Sequence, residues 1–135
     1  MENPSYIQSV CPYCGVGCGF SIEVSNGIAT GIQYMKEHPT SEGALCPKGN
    51  SSLEILYHRE RLQYPLKRIG DTFERISWDE ALSITAENLG RIRSNNGPDA
   101  LAFLASAKAT NEDNYVFQKL ARMMGTNNVD HCARL

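Results

Sequence analysis

Along the first third of the chain, apolar residues alternate with polar ones. Phe20, Ile22 and Val24 are separated by Ser21 and Glu23, the two-residue period of a half-buried strand. Residues 5–10 read as a second strand on the other side of a cysteine-rich loop. Asn26-Gly27 predicts a tight turn, because both residues tolerate positive φ, and Ile28 to Tyr34 supplies the return strand. Lys36 to Gly43 is polar and contains a proline, which predicts a loop. Asn50 to Arg61 then places Leu53, Leu56 and Tyr57 on one face of a short helix. Residues 4–60 are expected to form a small β-rich unit.

The pattern changes over residues 61–135. Leu66 to Arg68 and Phe73 to Ile76 flank Gly70-Asp71 and predict a second hairpin. Ser77-Trp78-Asp79-Glu80 has the form of a capping box, with Ser77 accepting from the Glu80 amide and the Glu80 side chain reaching back. The helix that follows carries Trp78, Ala81, Leu82, Thr85, Leu89 and Ile92 as one core-facing stripe and stops at Asn96-Gly97-Pro98. Ala100 to Ala105 is a short apolar run without alternation, as in a buried parallel strand. Asn111 is placed to cap a second helix with Val116, Leu120, Met123 and Met124 inward and Gly125 at its end. A last strand is expected at Asn128 to Asp130. One central strand and two helices cannot cover a parallel sheet, so this unit reads as the incomplete start of an α/β domain. The fold class is α+β.

Composition narrows the function. The chain has 135 residues, 41% of them hydrophobic, and a net charge of −2. That charge gives no reason to expect nucleic acid or an anionic membrane as partner. No apolar run approaches the ~20 residues of a membrane span. Met1-Glu2-Asn3-Pro4 has neither a basic region nor a twin arginine, so a cytoplasmic location is expected, where thiols stay reduced.

The chemistry lies in the cysteines. Cys11, Cys14 and Cys18 fall in one short string, and 27 residues separate Cys18 from Cys46. A C-x2-C-x3-C run with a distant fourth thiol can place four thiolates around one cubane 4Fe-4S cluster. Zinc more often takes paired C-x2-C or Cys/His sets, and His38 and His58 lie outside such spacing. Three thiols this crowded do not pair easily as disulfides. Gly15, Gly17 and Gly19 let the backbone wrap closely and turn amides toward sulfur. The same glycines do not spell a phosphate loop, since the third position of G-x-G-x-x-G would fall on Phe20. Lys48, two positions after Cys46, either offsets the charge of the cluster or bridges it to a second redox group. Cys132, the odd fifth, reads as a small packed residue.

V-C-P-Y-C-G-V-G-C-G, E-G-A-L-C-P-K-G-N, S-W-D-E-A-L, T-N-E-D-N-Y-V-F-Q-K and T-N-N-V-D-H-C-A-R-L resemble, in register, the N-terminal part of a formate dehydrogenase catalytic subunit. That subunit is a molybdopterin oxidoreductase, holding molybdenum or tungsten on two pterin guanine dinucleotides. H-P-T-S-E-G and L-Y-H-R-E-R-L are most similar to methanogen-type enzymes that work with a deazaflavin-reducing partner. The resemblance implies that Cys11, Cys14, Cys18 and Cys46 bind the cluster and that Lys48 carries electrons between it and the nearer pterin. Lys108 stands where related sequences often have a cofactor-contacting arginine, and lysine lacks that planar fork. Asn114, Tyr115 and Asn127 lie in matched blocks without an assigned role. His131 precedes the C-A-R motif, whereas the family's catalytic histidine follows the metal ligand, so His131 is not that residue. Cys132 is implied to pack near the metal without binding it.

In the family, C-A-R-[LV] runs directly into the selenocysteine or cysteine that binds the metal. The expectation is a selenocysteine after Leu135, its UGA codon read as a stop; a UGA followed by an open frame beginning with histidine would support this. The implied reaction is formate to carbon dioxide or its reverse, with electrons leaving to an iron–sulfur or flavin subunit. The 135 residues are expected to show no such activity alone. A formylmethanofuran dehydrogenase or nitrate reductase, a free-standing ferredoxin-like carrier and a structural zinc module are the competing readings.

Overall fold

The computed structural model describes residues 3–132. The expected ends, Met1-Glu2 and the A-R-L of the C-A-R-L block, lie outside the described residues. Three strands open the chain: β1 (Ser5–Val10), β2 (Gly19–Ser25) and β3 (Ile28–Tyr34), paired antiparallel in the order β1-β2-β3. Asn26 and Gly27 both take positive φ, 51° and 77°, as the tight turn between β2 and β3 requires. The register slips between Glu23 and Val24, where the ladder passes from Gly31 to Ala29 and leaves Thr30 over; its hydroxyl donates to the Glu23 carboxylate at 2.8 Å.

The expected helix over 50–61 is instead two short ones, α1 (Pro47–Asn50) and α2 (Ser52–Tyr57), broken at Ser51. Pro47 fits the first helical position because its missing N–H has no partner to lose there. The Tyr57 hydroxyl accepts from the Ala29 amide at 2.8 Å, and the Tyr34 hydroxyl donates to Asn50 at 2.7 Å. These bonds hold the helices against β3.

The second hairpin pairs β4 (Leu66–Ile69) with β5 (Thr72–Arg75), and Gly70 takes φ 59° at the turn. Helix α3 (Trp78–Asn96) starts with the Ser77 hydroxyl accepting from the Glu80 amide at 3.1 Å. The return half of that capping box does not form: Glu80 accepts from Lys67 on β4 at 3.2 Å instead. A cation close enough to pair competes successfully with the backbone for a carboxylate.

Strand β6 (Phe103–Ala105), helix α4 (Asn111–Met123) and strand β7 (Val129–His131) form a βαβ unit, with β6 and β7 parallel. Leu101, Phe103 and Ala121 are buried at its centre, with Leu89, Ile92, Phe117, Met124 and Val129 packed around them. Phe103 meets Phe117 edge to face at 5.6 Å.

Three packing expectations are corrected. Trp78 and Leu82 are 65% and 62% exposed, so only the later part of the α3 stripe reaches this core. Val116, Leu120 and Met123 are likewise exposed, and Phe117, Ala121 and Met124 take the inward face of α4. β6 is shorter than the apolar run and buried on one side only, since Leu104 is 76% exposed. A two-stranded sheet covered by helices on one face leaves alternate apolar residues outside.

The cap of α4 is Thr110, not Asn111. Thr110 accepts from the Asp113 amide at 3.1 Å, and Asp113 accepts in return from the Thr110 amide. Thr110→Ala is expected to cost about 1 kcal/mol of stability, read as a lower urea midpoint with the same slope.

Candidate metal centre

The cysteine loop is the connection between β1 and β2. The Cys11 amide donates to the Cys18 carbonyl at 2.9 Å, which closes the loop at its base. Gly17, at φ 72°, allows the chain to turn back before Cys18. The fourth thiol arrives from α1, which Cys46 precedes. Gly49 is buried, and a Cβ built on it would lie 3.6 Å from the Cys11 sulfur and 3.3 Å from Leu45 Cβ. The helix therefore seats closely against Cys11.

Electrostatics show that the four thiols share one neighbourhood. Burial raises the pKa of Cys18, and the charges that Cys11, Cys14 and Cys46 would carry as thiolates raise it further. Cys46 moves the other way. It closes no cap hydrogen bond of ordinary geometry, yet the backbone amides of Gly49 and then Lys48 face its sulfur and lower its pKa, with a smaller contribution from the Lys48 charge. All five cysteines are free thiols. Among the described residues, no three Cys, His, Asp or Glu side chains converge as ligands of a single ion would.

His38 and Ser41 belong to this site, although their spacing gave no such signal. A Cβ on Gly19 would fall 2.6 Å from His38 Nε2 and 2.7 Å from its Cγ, so the imidazole occupies the space that glycine leaves. His38 Nδ1 accepts from the Thr40 and Ser41 amides at 3.3 and 3.4 Å, which places the proton of the neutral ring on Nε2. The buried Ser41 hydroxyl donates to the Gly19 carbonyl at 3.1 Å. The loop is thus held just beyond its third cysteine.

A second feature is a cleft of about 610 Å³ beside α4. Asn111, Asn114, Tyr115 and Asn127 line it, with His131 and Ser106. Asn114 donates to the Thr110 carbonyl at 3.0 Å, and Asn127 accepts from Arg122. Lys108 is exposed and is not part of this lining; its amide donates to Ser106 at 3.0 Å. Cys132 is exposed rather than packed. The Ala107 amide reaches its sulfur at 3.5 Å and, with Ser106 and the Lys108 charge, lowers its pKa.

Two outcomes follow from this geometry. Gly19→Ala is expected to destabilise the chain by about 1–3 kcal/mol through overpacking, and adding His38→Ala should recover most of that loss in a double-mutant cycle. In the cluster-free, reduced chain, Cys46 should be alkylated at a lower pH than Cys18, because thiolate is the reacting form. Peptide mapping after iodoacetamide treatment across a pH series reads the order, and Cys18 labelling first would contradict it.

A family model described as the molybdopterin oxidoreductase Fe4S4 domain matches residues 4–58, and one described as molybdopterin oxidoreductase matches residues 61–135. The F420-dependent formate dehydrogenase subunit alpha of Methanocaldococcus jannaschii is 45% identical over 130 residues, which are 96% of this chain and 19% of that protein. The F420-dependent formate dehydrogenase 1 subunit alpha of Methanococcus maripaludis is 46% identical over 131 residues, with the same two shares. The solved structure of acetylene hydratase from Pelobacter acetylenicus superposes with a TM-score of 0.70 at 29% identity, covering 93% of this chain and 18% of that one. The chain spans about a fifth of the length of these relatives. One match covers the cysteine nest as an iron–sulfur domain, which a zinc module does not explain. The other covers the βαβ segment, for which a free-standing electron carrier has no use. The chain belongs to the molybdopterin oxidoreductase family.

Proposed function

We propose that this chain is the cluster-bearing N-terminal part of a formate dehydrogenase catalytic subunit. In this reading residues 4–60 hold one 4Fe-4S cluster through Cys11, Cys14, Cys18 and Cys46, and residues 61–135 begin the pterin-binding domain. The observation that supports it most is the cysteine loop closed from the Cys11 amide to the Cys18 carbonyl, with Gly49 of the helix after Cys46 seated against the Cys11 sulfur. Molybdenum or tungsten on two pterin guanine dinucleotides would supply the two-electron oxidation of formate to carbon dioxide, and the cluster the one-electron steps.

The protein's own part is to hold and tune. Amides aimed at sulfur stabilise the more negative, reduced cluster. Lys48 adds a positive charge beside Cys46 and is assigned as the bridging residue toward the pterin. Asn111, Asn114 and Tyr115 offer polar groups along the α4 cleft where a dinucleotide arm can lie. Any contact that Lys108 made with such an arm would be a point charge and not a fork. Two relatives whose names carry the deazaflavin F420 support an electron-accepting subunit, of iron–sulfur or flavin type, that reduces a deazaflavin. Free thiols fit a reducing cytoplasm, and no described helix is long and apolar enough to cross a membrane.

The test uses the full-length catalytic subunit of which this chain is the proposed N-terminal part, expressed anaerobically with its pterin cofactor. Formate should reduce the cluster, seen as the appearance of its EPR signal. Lys48→Ala should retain the cluster and slow that reduction by at least about tenfold, a barrier change near 1.4 kcal/mol. A loaded protein whose cluster stays oxidised in formate would overturn the reading.

A further inference from the structure

We propose that Asn111 is a positioning residue that latches the cysteine loop to α4 and so couples the α4 cleft to the cluster site. The inference deepens the function proposed above and rests on it for the cluster.

Asn111 stands at the first position of α4, where asparagine ordinarily serves the helix. Thr110 and Asp113 already cap α4, so the Asn111 side chain is not needed there. It turns outward and donates from Nδ2 to the Gly15 carbonyl at 2.8 Å, across 96 positions of sequence. Gly15 lies between Cys14 and Cys18. A Cβ on Gly15 would sit 3.2 Å from Asn111 Cγ and closer still to Oδ1, so the amide fills the space that this glycine leaves open. Donor, acceptor and vacant side-chain volume meet at one point.

The consequence for the loop follows from peptide geometry. Among the described residues no peptide bond is cis. In a planar trans peptide the N–H points opposite to the C=O, so fixing the Gly15 carbonyl fixes the direction of the Val16 N–H. That peptide belongs to the stretch that wraps a cluster. The loop is pinned at its base by Cys11 and Cys18, beyond its end by Ser41, and at its crown by Asn111. Asn111 also lines the cleft of about 610 Å³. A group bound there that draws on the same amide changes what the loop experiences.

The test compares the 135-residue chain with Asn111→Ala and with Asn111→Asp, which keeps the shape and loses the donor. Glu112→Ala, also exposed on the first turn of α4, is the control. In cluster-free protein, hydrogen exchange at the Cys11 amide, whose bond to the Cys18 carbonyl closes the loop, should be about fivefold faster in both Asn111 variants, as for the loss of one hydrogen bond that holds the loop. The α4 amides should be unaffected, because the Thr110–Asp113 box is intact. After reconstitution, the cluster potential should shift to more negative values in Asn111→Ala and further in Asn111→Asp, which adds negative charge. Glu112→Ala should match the parent in exchange. Loop exchange equal to that of the parent, or acceleration spread equally over α4, would overturn the latch, as would a potential that does not move. A parent chain that takes up no cluster would defeat the proposed function, and loop exchange would still decide the latch.

Discussion

The bond from the Cys11 amide to the Cys18 carbonyl is the contact on which the site depends. It joins the ends of the cysteine loop where β1 and β2 meet, so three thiols are carried on the rigid mouth of a hairpin. The antiparallel pairing of Val10 with Gly19 brings the two strands to that mouth in register. A one-residue slip would move every side chain on β2 to the opposite face. Phe20, almost fully buried, makes such a slip costly. The fourth thiol needs only a short, proline-started helix seated on Cys11 by Gly49.

Bringing four thiols together has an electrostatic cost, and the chain distributes it unevenly. Cys18, partly buried among the others, is harder to ionise than an ordinary thiol, while Cys46, exposed and facing amides and Lys48, is easier. In the proposed cluster, binding iron would remove the protons and offset that cost. The similarity to an acetylene hydratase extends over nearly the whole chain. The same scaffold serves differently named reactions, so the fold alone does not assign a substrate.

Much of this was legible in the sequence where local physics decides alone. The Asn26-Gly27 turn, the strand through Phe20, Ile22 and Val24, the Ser77 cap and the Gly97 stop all act within a few residues. The cysteine spacing pointed to one cluster because ligand chemistry dictates it. Sequence reasoning failed where two local options compete or where a distant partner intervenes. Thr110 and Asn111 are both good caps, and only the structure shows that one caps while the other reaches Gly15. Glu80 abandoned its box for Lys67, which lies on another element. The exposure of Trp78, Val116 and Met123 could not be read from periodicity, which identifies an apolar face without saying what covers it. His38 and Ser41 carried no spacing signal at all, since their role depends on the space left by Gly19.

The central claim is that four cysteines from two segments hold one four-iron cluster. Mössbauer spectroscopy of the 135-residue chain, assembled anaerobically with isotopically enriched iron and sulfide, tests it most directly. The account predicts a single cubane spectrum with all four irons at thiolate sites, lost or converted to a three-iron form in Cys46→Ser. Mononuclear iron in the parent chain, or a cubane spectrum unchanged by Cys46→Ser, would contradict it.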